Sequence, residues 1–137
     1  VESDGEPAGS DLVAWALMPL RRYAQFDGRS RRKEFWPFFV AIAAILSVLL
    51  VVVAADTDIF GNPGGAGILA GLVLVVIFVG TLVPTFAVQA RRFHDQGRSG
   101  WLVLLNFLPY VGGIITLILM LFPGEKGENQ YGPDPKG

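Results

Sequence analysis

The stretch "FWPFFVAIAAILSVLLVVVAA", residues 35–55, has no charged side chain, and Ser47 is its one polar aliphatic side chain. About twenty such residues in a helix span the ~30 Å hydrocarbon core of a bilayer. Phe35 and Trp36 fall where aromatic rings settle at headgroup depth. Pro37 sits in the first turn, where a missing N–H does no harm. Hydrophobic residues make up 52% of the 137-residue chain, which is in keeping with lipid as the solvent of that run.

Two further apolar runs follow. Residues 68–88 include Gly71, Gly80, Thr81, Pro84 and Thr85; small residues of this kind let helices approach closely, and Pro84 predicts a kink whose freed carbonyl a neighbour or Thr81 must satisfy. Residues 101–122, "WLVLLNFLPYVGGIITLILMLF", are long enough to cross but carry Asn106, Pro109, Gly112 and Gly113 near the middle. A single kinked span is preferred there over a re-entrant hairpin turning at "PYVGG". Ahead of the first span, Ser10 or Asp11 is placed to cap a short helix running to about Gln25. Leu12, Trp15, Leu20, Tyr23 and Phe26 lie on one stripe of it, and Pro19 limits it. With Arg21 and Arg22 beside apolar residues it suits the headgroup layer, with packing on the rest of the protein as an equal alternative. The expected fold is therefore an all-α integral membrane protein with three transmembrane helices, the third kinked or re-entrant, plus an N-terminal interfacial helix. Residues 1–10 read as an acidic disordered tail without the features of a cleaved leader, 11–122 as one transmembrane domain, and 123–137 as a polar Gly/Pro-rich tail.

Charge gives an orientation. Nine of the eleven Lys and Arg residues fall at Arg21, Arg22, Arg29, Arg31, Arg32, Lys33, Arg91, Arg92 and Arg98, while the loop at 56–67 has none. Positive-inside logic places the N-terminus and the 89–100 loop in the cytoplasm of a multi-pass protein. A net charge of −1 argues against nucleic acid as a partner. With no cysteine, thiol catalysis and disulfides are excluded. No metal-ligand cluster or phosphate-cradling loop is present, so neither metal nor cofactor is expected. No span has an ionisable residue in its interior, which counts against an ion-coupled transporter.

The tripeptide Gly-Arg-Ser occurs twice, in "FDGRSRRKEFW" at 26–36 and "RRFHDQGRSGW" at 91–101. Each occurrence reads as a helix stop, an arginine and a helix start. Gly28 and Gly97 supply the stops and Ser30 and Ser99 the caps. Arg91 and Asp95 are spaced to pair, and Glu34 to meet Arg31 or a loop arginine. In the functional reading Arg29, Arg31, Arg32, Arg92 and Arg98 converge on phosphate, since guanidinium forks bind phosphate oxygens in pairs. His94 beside Asp95 has the composition of a proton relay, but a hydrogen-bonding role outweighs it. The expected function is non-enzymatic: an arginine-rich cytoplasmic surface engaging anionic lipid headgroups or a partner protein. Two alternatives are a homo-oligomeric transporter or channel, using the small residues of the second run and Asn106, and an enzyme acting on a lipid phosphate.

The motifs "YAQFDGRSRRKEFWPF", "RRFHDQGRSGW", "LPYVGGI" and "PGEKGENQYGPDP" together resemble the YhaH/YhaI-like bacterial inner-membrane family, catalogued as domain of unknown function 805. The resemblance rests on Phe26, Gly28, Arg29, Arg32, Glu34, Phe35 and Trp36, then on Arg91, Arg92, His94, Asp95, Arg98, Ser99 and Trp101. Asn129, Tyr131, Gly132, Asp134 and Pro135 carry it through the tail. A single Trp101 stands where many members have a tryptophan pair. The resemblance implies a small protein of the bacterial inner membrane with no established reaction. If the tail belongs with the two basic motifs, all three share one side.

Overall fold

A computed structural model describes residues 11–135, so the N-terminal acidic segment and the last two positions lie outside the described residues. Among the described residues the order is α1 (Leu12–Arg21), α2 (Arg32–Ala55), α3 (Gly65–Asp95), a 3-10 helix (Gly100–Phe107) and α4 (Gly112–Met120), with no strand.

Asp11 starts α1, its carboxylate accepting the Ala14 N–H at 3.1 Å, which satisfies one of the free donors of a first turn. Pro19 is accommodated inside the helix, and α1 ends at Arg21, short of the expected Gln25. Trp15 and Met18 are buried, and Leu12, Val13, Leu17 and Leu20 remain exposed.

Helices α2 and α3 form the long pair. Their 24 and 31 residues correspond to about 36 Å and 46 Å, enough to cross a bilayer. In their most apolar stretches only 6% and 11% of residues are buried. Val40, Val48, Leu50, Leu72, Val75 and Val76 all face outward. In water that surface would be an aggregation liability; in hydrocarbon it is the matching solvent-facing surface. Helix α2 begins three residues earlier than the apolar run, so Pro37 lies in the second turn rather than the first. Between the helices, Asp56 Oδ2 accepts the Gly67 N–H at 2.7 Å. A carboxylate thereby meets the positive end of α3, which has no side-chain cap of its own. The loop turns on Asp58, whose Oδ1 accepts from the Phe60 and Asn62 amides at 2.9 Å. Those bonds hold its carboxyl below the ordinary value, with the Asn62 amide as the main cause.

Pro84 has no N–H for the Gly80 carbonyl four residues back. The Tyr23 hydroxyl, arriving from the segment after α1, donates to that carbonyl. Thr81 instead turns its Oγ1 to the Ile77 carbonyl at 2.8 Å. Tyr23→Phe is expected to destabilise the protein by about 1 kcal/mol. In a Pro84→Ala background, where the helix supplies its own donor, the same change should be nearly neutral. Unfolding of the four proteins in one detergent reads the coupling.

The third apolar run departs from the preferred expectation of one kinked span. It folds as the 3-10 helix, a turn and the short α4. Tyr110 at the turn has φ of 68°, a left-handed conformation that reverses the chain. A tertiary contact accounts for it: Asn106 Nδ2 donates to Gln89 Oε1 on α3 at 2.6 Å rather than facing lipid. Phe107 meets Phe86 with ring centroids 5.8 Å apart. From Phe86 to the end of α3 at Asp95 is about 14 Å along the helix axis, well short of the ~30 Å core. The run leaves from Ser99 and returns at Met120 and Phe122, whose carbonyls bind Arg92 at 3.0 and 2.6 Å. Both ends thus sit at one level. The core, Phe35, Phe38, Val88, Phe93 and Met120, lies at the same end of the molecule.

Candidate functional site

At that end the two Gly-Arg-Ser motifs meet the tail. Ser30 N–H donates to the Arg91 carbonyl at 3.2 Å, which brings the start of α2 against the last turns of α3. Ser30 does not cap α2 as its position predicts; its Oγ accepts from Arg91 Nε at 2.7 Å. Gly97 does take the left-handed conformation, φ 72°, just past α3. Ser99 Oγ accepts from the Trp101 N–H at 3.2 Å and caps the 3-10 helix.

Three guanidiniums are turned inward. The Arg91 and Arg92 residues have 0% exposure, and the Arg29 side chain 1%. Arg91 Nη2 donates to Glu34 Oε2 at 2.5 Å, so the carboxylate at the start of α2 pairs with Arg91. Arg91 Nη1 reaches the Gln25 carbonyl, and Arg22 lies 3.8 Å from Glu34. Asp95 meets neither Arg91 nor His94. Its Oδ1 accepts from Arg29 Nε at 2.9 Å and its Oδ2 from Arg92 Nη1 at 3.0 Å. One carboxylate thus serves two buried arginines, the arrangement that makes such charges tolerable away from water.

Most of their remaining donors go to backbone carbonyls, whereas Arg92 Nε is buried without a partner among the described residues. Arg92 binds the end of α4 through Met120 and Phe122. Trp36 Nε1 adds a bond to Met120 at 3.2 Å, and Gln96 Nε2 one to Leu119 at 2.7 Å. These are the carbonyls a helix C-terminus leaves free, and a cation is the favourable partner for them. Arg29 donates to the tail carbonyls of Glu125 and Gly127, both at 2.6 Å. The tail comes close because residue 124 is glycine: a Cβ there would stand 1.9 Å from Asp95 Oδ2. Asp134 Oδ2 accepts the Gly127 N–H at 2.8 Å, and Asn129 Oδ1 the Tyr131 N–H at 2.9 Å. Gly132, at φ 136°, closes that turn against Asn129, and Pro135 is the last described residue.

The arginines singled out for phosphate therefore divide. Arg29 and Arg92 are committed to Asp95, the tail and α4. Arg31, Arg32 and Arg98 lie toward the surface, Arg32 most openly. Arg31 rests over the Trp15 ring at 5.3 Å and Arg98 over Phe122 at 5.8 Å, distances at which a ring face attracts a cation. Arg32 Nη1 donates to the Leu121 carbonyl at 3.1 Å. Among the motif residues, Gly28 is left-handed at φ 91° and its carbonyl lies 2.9 Å from His94 Nδ1. The His94 ring stacks on Tyr131 with centroids 4.0 Å apart. Trp101 stands outside the packed head, 79% exposed. Sequence reasoning missed Gly124, Gln96 and the carbonyls of α4. The "PGEKG" glycine was the available signal for the first, since glycine marks close backbone approach; acceptor carbonyls leave no trace in side-chain identity.

Two long lipid-facing helices with a head clamped by buried arginines define a small helical membrane protein. The chain belongs to the family described as "Protein of unknown function (DUF805)", whose model matches residues 23–133. It is 38% identical over 122 residues to inner membrane protein YhaH of Escherichia coli (strain K12), covering 89% of this chain and 96% of YhaH. To inner membrane protein YhaI of the same strain it is 35% identical over 127 residues, covering 90% of this chain and 97% of YhaI. Uncharacterized protein YiiR of that strain is 28% identical over 134 residues, covering 80% of this chain and 84% of YiiR. No solved structure matches. The family and its relatives thus establish a bacterial inner-membrane protein, with no reaction attached.

Proposed function

We propose that this is a non-enzymatic membrane protein whose surface arginines Arg31, Arg32 and Arg98 hold anionic phospholipid headgroups at the cytoplasmic leaflet. In this reading α2 and α3 are the two crossings. The N-terminus, the hairpin of residues 100–120 and the tail all stay inside. The observation that carries it is the split among the guanidiniums. Arg29, Arg91 and Arg92 are consumed by internal acceptors, whereas three others remain at the rim beside the apolar helices. Basic residues at that depth favour an anionic surface by about 1 kcal/mol each, and their side of the membrane follows the positive-inside rule.

Detergent-purified protein titrated with short-chain phosphatidylglycerol and phosphatidylcholine tests the binding. The expected result is a preference for phosphatidylglycerol of about tenfold or more, lost in a triple Arg31→Gln, Arg32→Gln, Arg98→Gln variant that keeps its helicity. An unchanged preference in that variant sinks the proposal. For topology, a reporter fused after Gly137 should score as cytoplasmic; an external score would require a third crossing.

A further inference from the structure

Beside the clamped head is an open cleft of about 490 Å3, lined in part by Phe26, Ala90, Trp101 and Val103. Phe26 and Trp101 expose their rings at its edge. His94, Tyr131 and Gly100 also line it. Its size falls in the ordinary range for small-molecule sites.

The imidazole is fixed in one tautomer. Nδ1 lies 2.9 Å from the Gly28 carbonyl, an oxygen that only accepts, so Nδ1 bears the proton and Nε2 of the neutral ring keeps its lone pair. Two contacts hold this arrangement: the Tyr131 ring lies 5° from parallel to the imidazole, and Asn129 Nδ2 donates to the His94 carbonyl at 2.9 Å. Nε2 faces Gly100, where a Cβ would stand 2.9 Å from it. Glycine at position 100 therefore keeps a side chain off Nε2 in the cleft wall.

We infer that this cleft binds an uncharged, membrane-soluble ring bearing a hydroxyl, the chemistry of a quinol head or a phenol. The hydroxyl donates to His94 Nε2 and the ring lies among Phe26, Trp101 and Tyr131. Charge selects this class over a phospholipid head. Among the described lining residues there is no carboxylate for an ammonium and no guanidinium for a phosphate. Aromatic walls favour a ring, which stacks or packs edge-on against them. At His94 Nε2 a donor is favoured over an ether or carbonyl, because only the donor completes its hydrogen bond, and the Ser99 hydroxyl in the same lining can meet the ring's second oxygen. The site is separate from the rim arginines and stands independently of their role.

The test uses the full chain in nanodiscs, titrated with a decyl-tailed benzoquinol kept reduced, with its dimethyl ether, and with a tailless phenol. Quenching of tryptophan fluorescence is the readout. Saturable quinol binding is expected, with the dimethyl ether about tenfold weaker for want of a donor. Gly100→Ala, which covers Nε2, should weaken quinol binding by a similar factor. If that variant does not fold, the quinol–ether pair on the unaltered chain decides alone. Tailless phenol binding as well as the quinol assigns the ligand to soluble phenols; much weaker phenol binding assigns it to the bilayer. Equal affinity for quinol and ether, or quenching that never saturates, overturns the inference.

Discussion

Asp95→Ala is expected to lower unfolding free energy by about 3–5 kcal/mol and to release the tail. The carboxylate receives Arg29 and Arg92 at 2.9 and 3.0 Å, and both side chains are almost wholly buried. Removing it strands two guanidiniums with backbone carbonyls as their neighbouring acceptors among the described residues. Each must then draw in water or swing out, and the end of α4 and the tail lose their donors with it. Asp95→Asn keeps an acceptor while removing the charge, so it should fall between the two. Thermal unfolding in mild detergent measures the loss, and limited proteolysis within residues 123–135 should accelerate in parallel. A variant as stable as the parent would mean that the clamp contributes nothing to stability.

The second large effect is expected at Arg91 and Glu34. Either Arg91→Leu or Glu34→Leu alone should destabilise by about 3 kcal/mol or more, because each leaves a buried partner uncompensated. In Arg91→Leu, the ion-pair partner left to Glu34 among the described residues is Arg22, 3.8 Å away. The double variant should recover a substantial part of the loss, since an apolar pair avoids the desolvation penalty altogether. Recovery will be incomplete, because Arg91 also donates to Ser30 Oγ and the Gln25 carbonyl. A double-variant cycle isolates the coupling; strictly additive losses would show that the pair does not interact.

The long helices were legible because twenty uncharged residues leave few alternatives. Each starts three residues before its expected run, and α3 runs seven residues beyond its own, into the stretch expected to be loop. The third run was not legible, for a definite reason. Hydropathy counts the apolar residues of 101–122 but cannot show that Asn106 has Gln89 to bond with, or that Arg92 waits for the carbonyls at Met120 and Phe122. The same blindness affected the arginines. Composition identified a cluster of phosphate-type donors, and whether they meet phosphate or carbonyl depends on contacts between distant segments. The single-residue conformations fared better: Gly97 and Ser99 behave as their types dictate, because those preferences are local. Ser30 was drawn away from its capping role by a buried arginine 61 positions further along.

The guanidinium of Arg29 has an order of assembly written into it. It is synthesised early, yet one of its carbonyl acceptors lies 103 positions downstream. Its ionic partner Asp95 follows 66 positions later and its tail acceptors later still, so α2 and α3 are complete before this cation has all its partners. Closure of the head thus comes last, and a chain halted between Asp95 and Glu125 would keep both long helices with its lid unfastened.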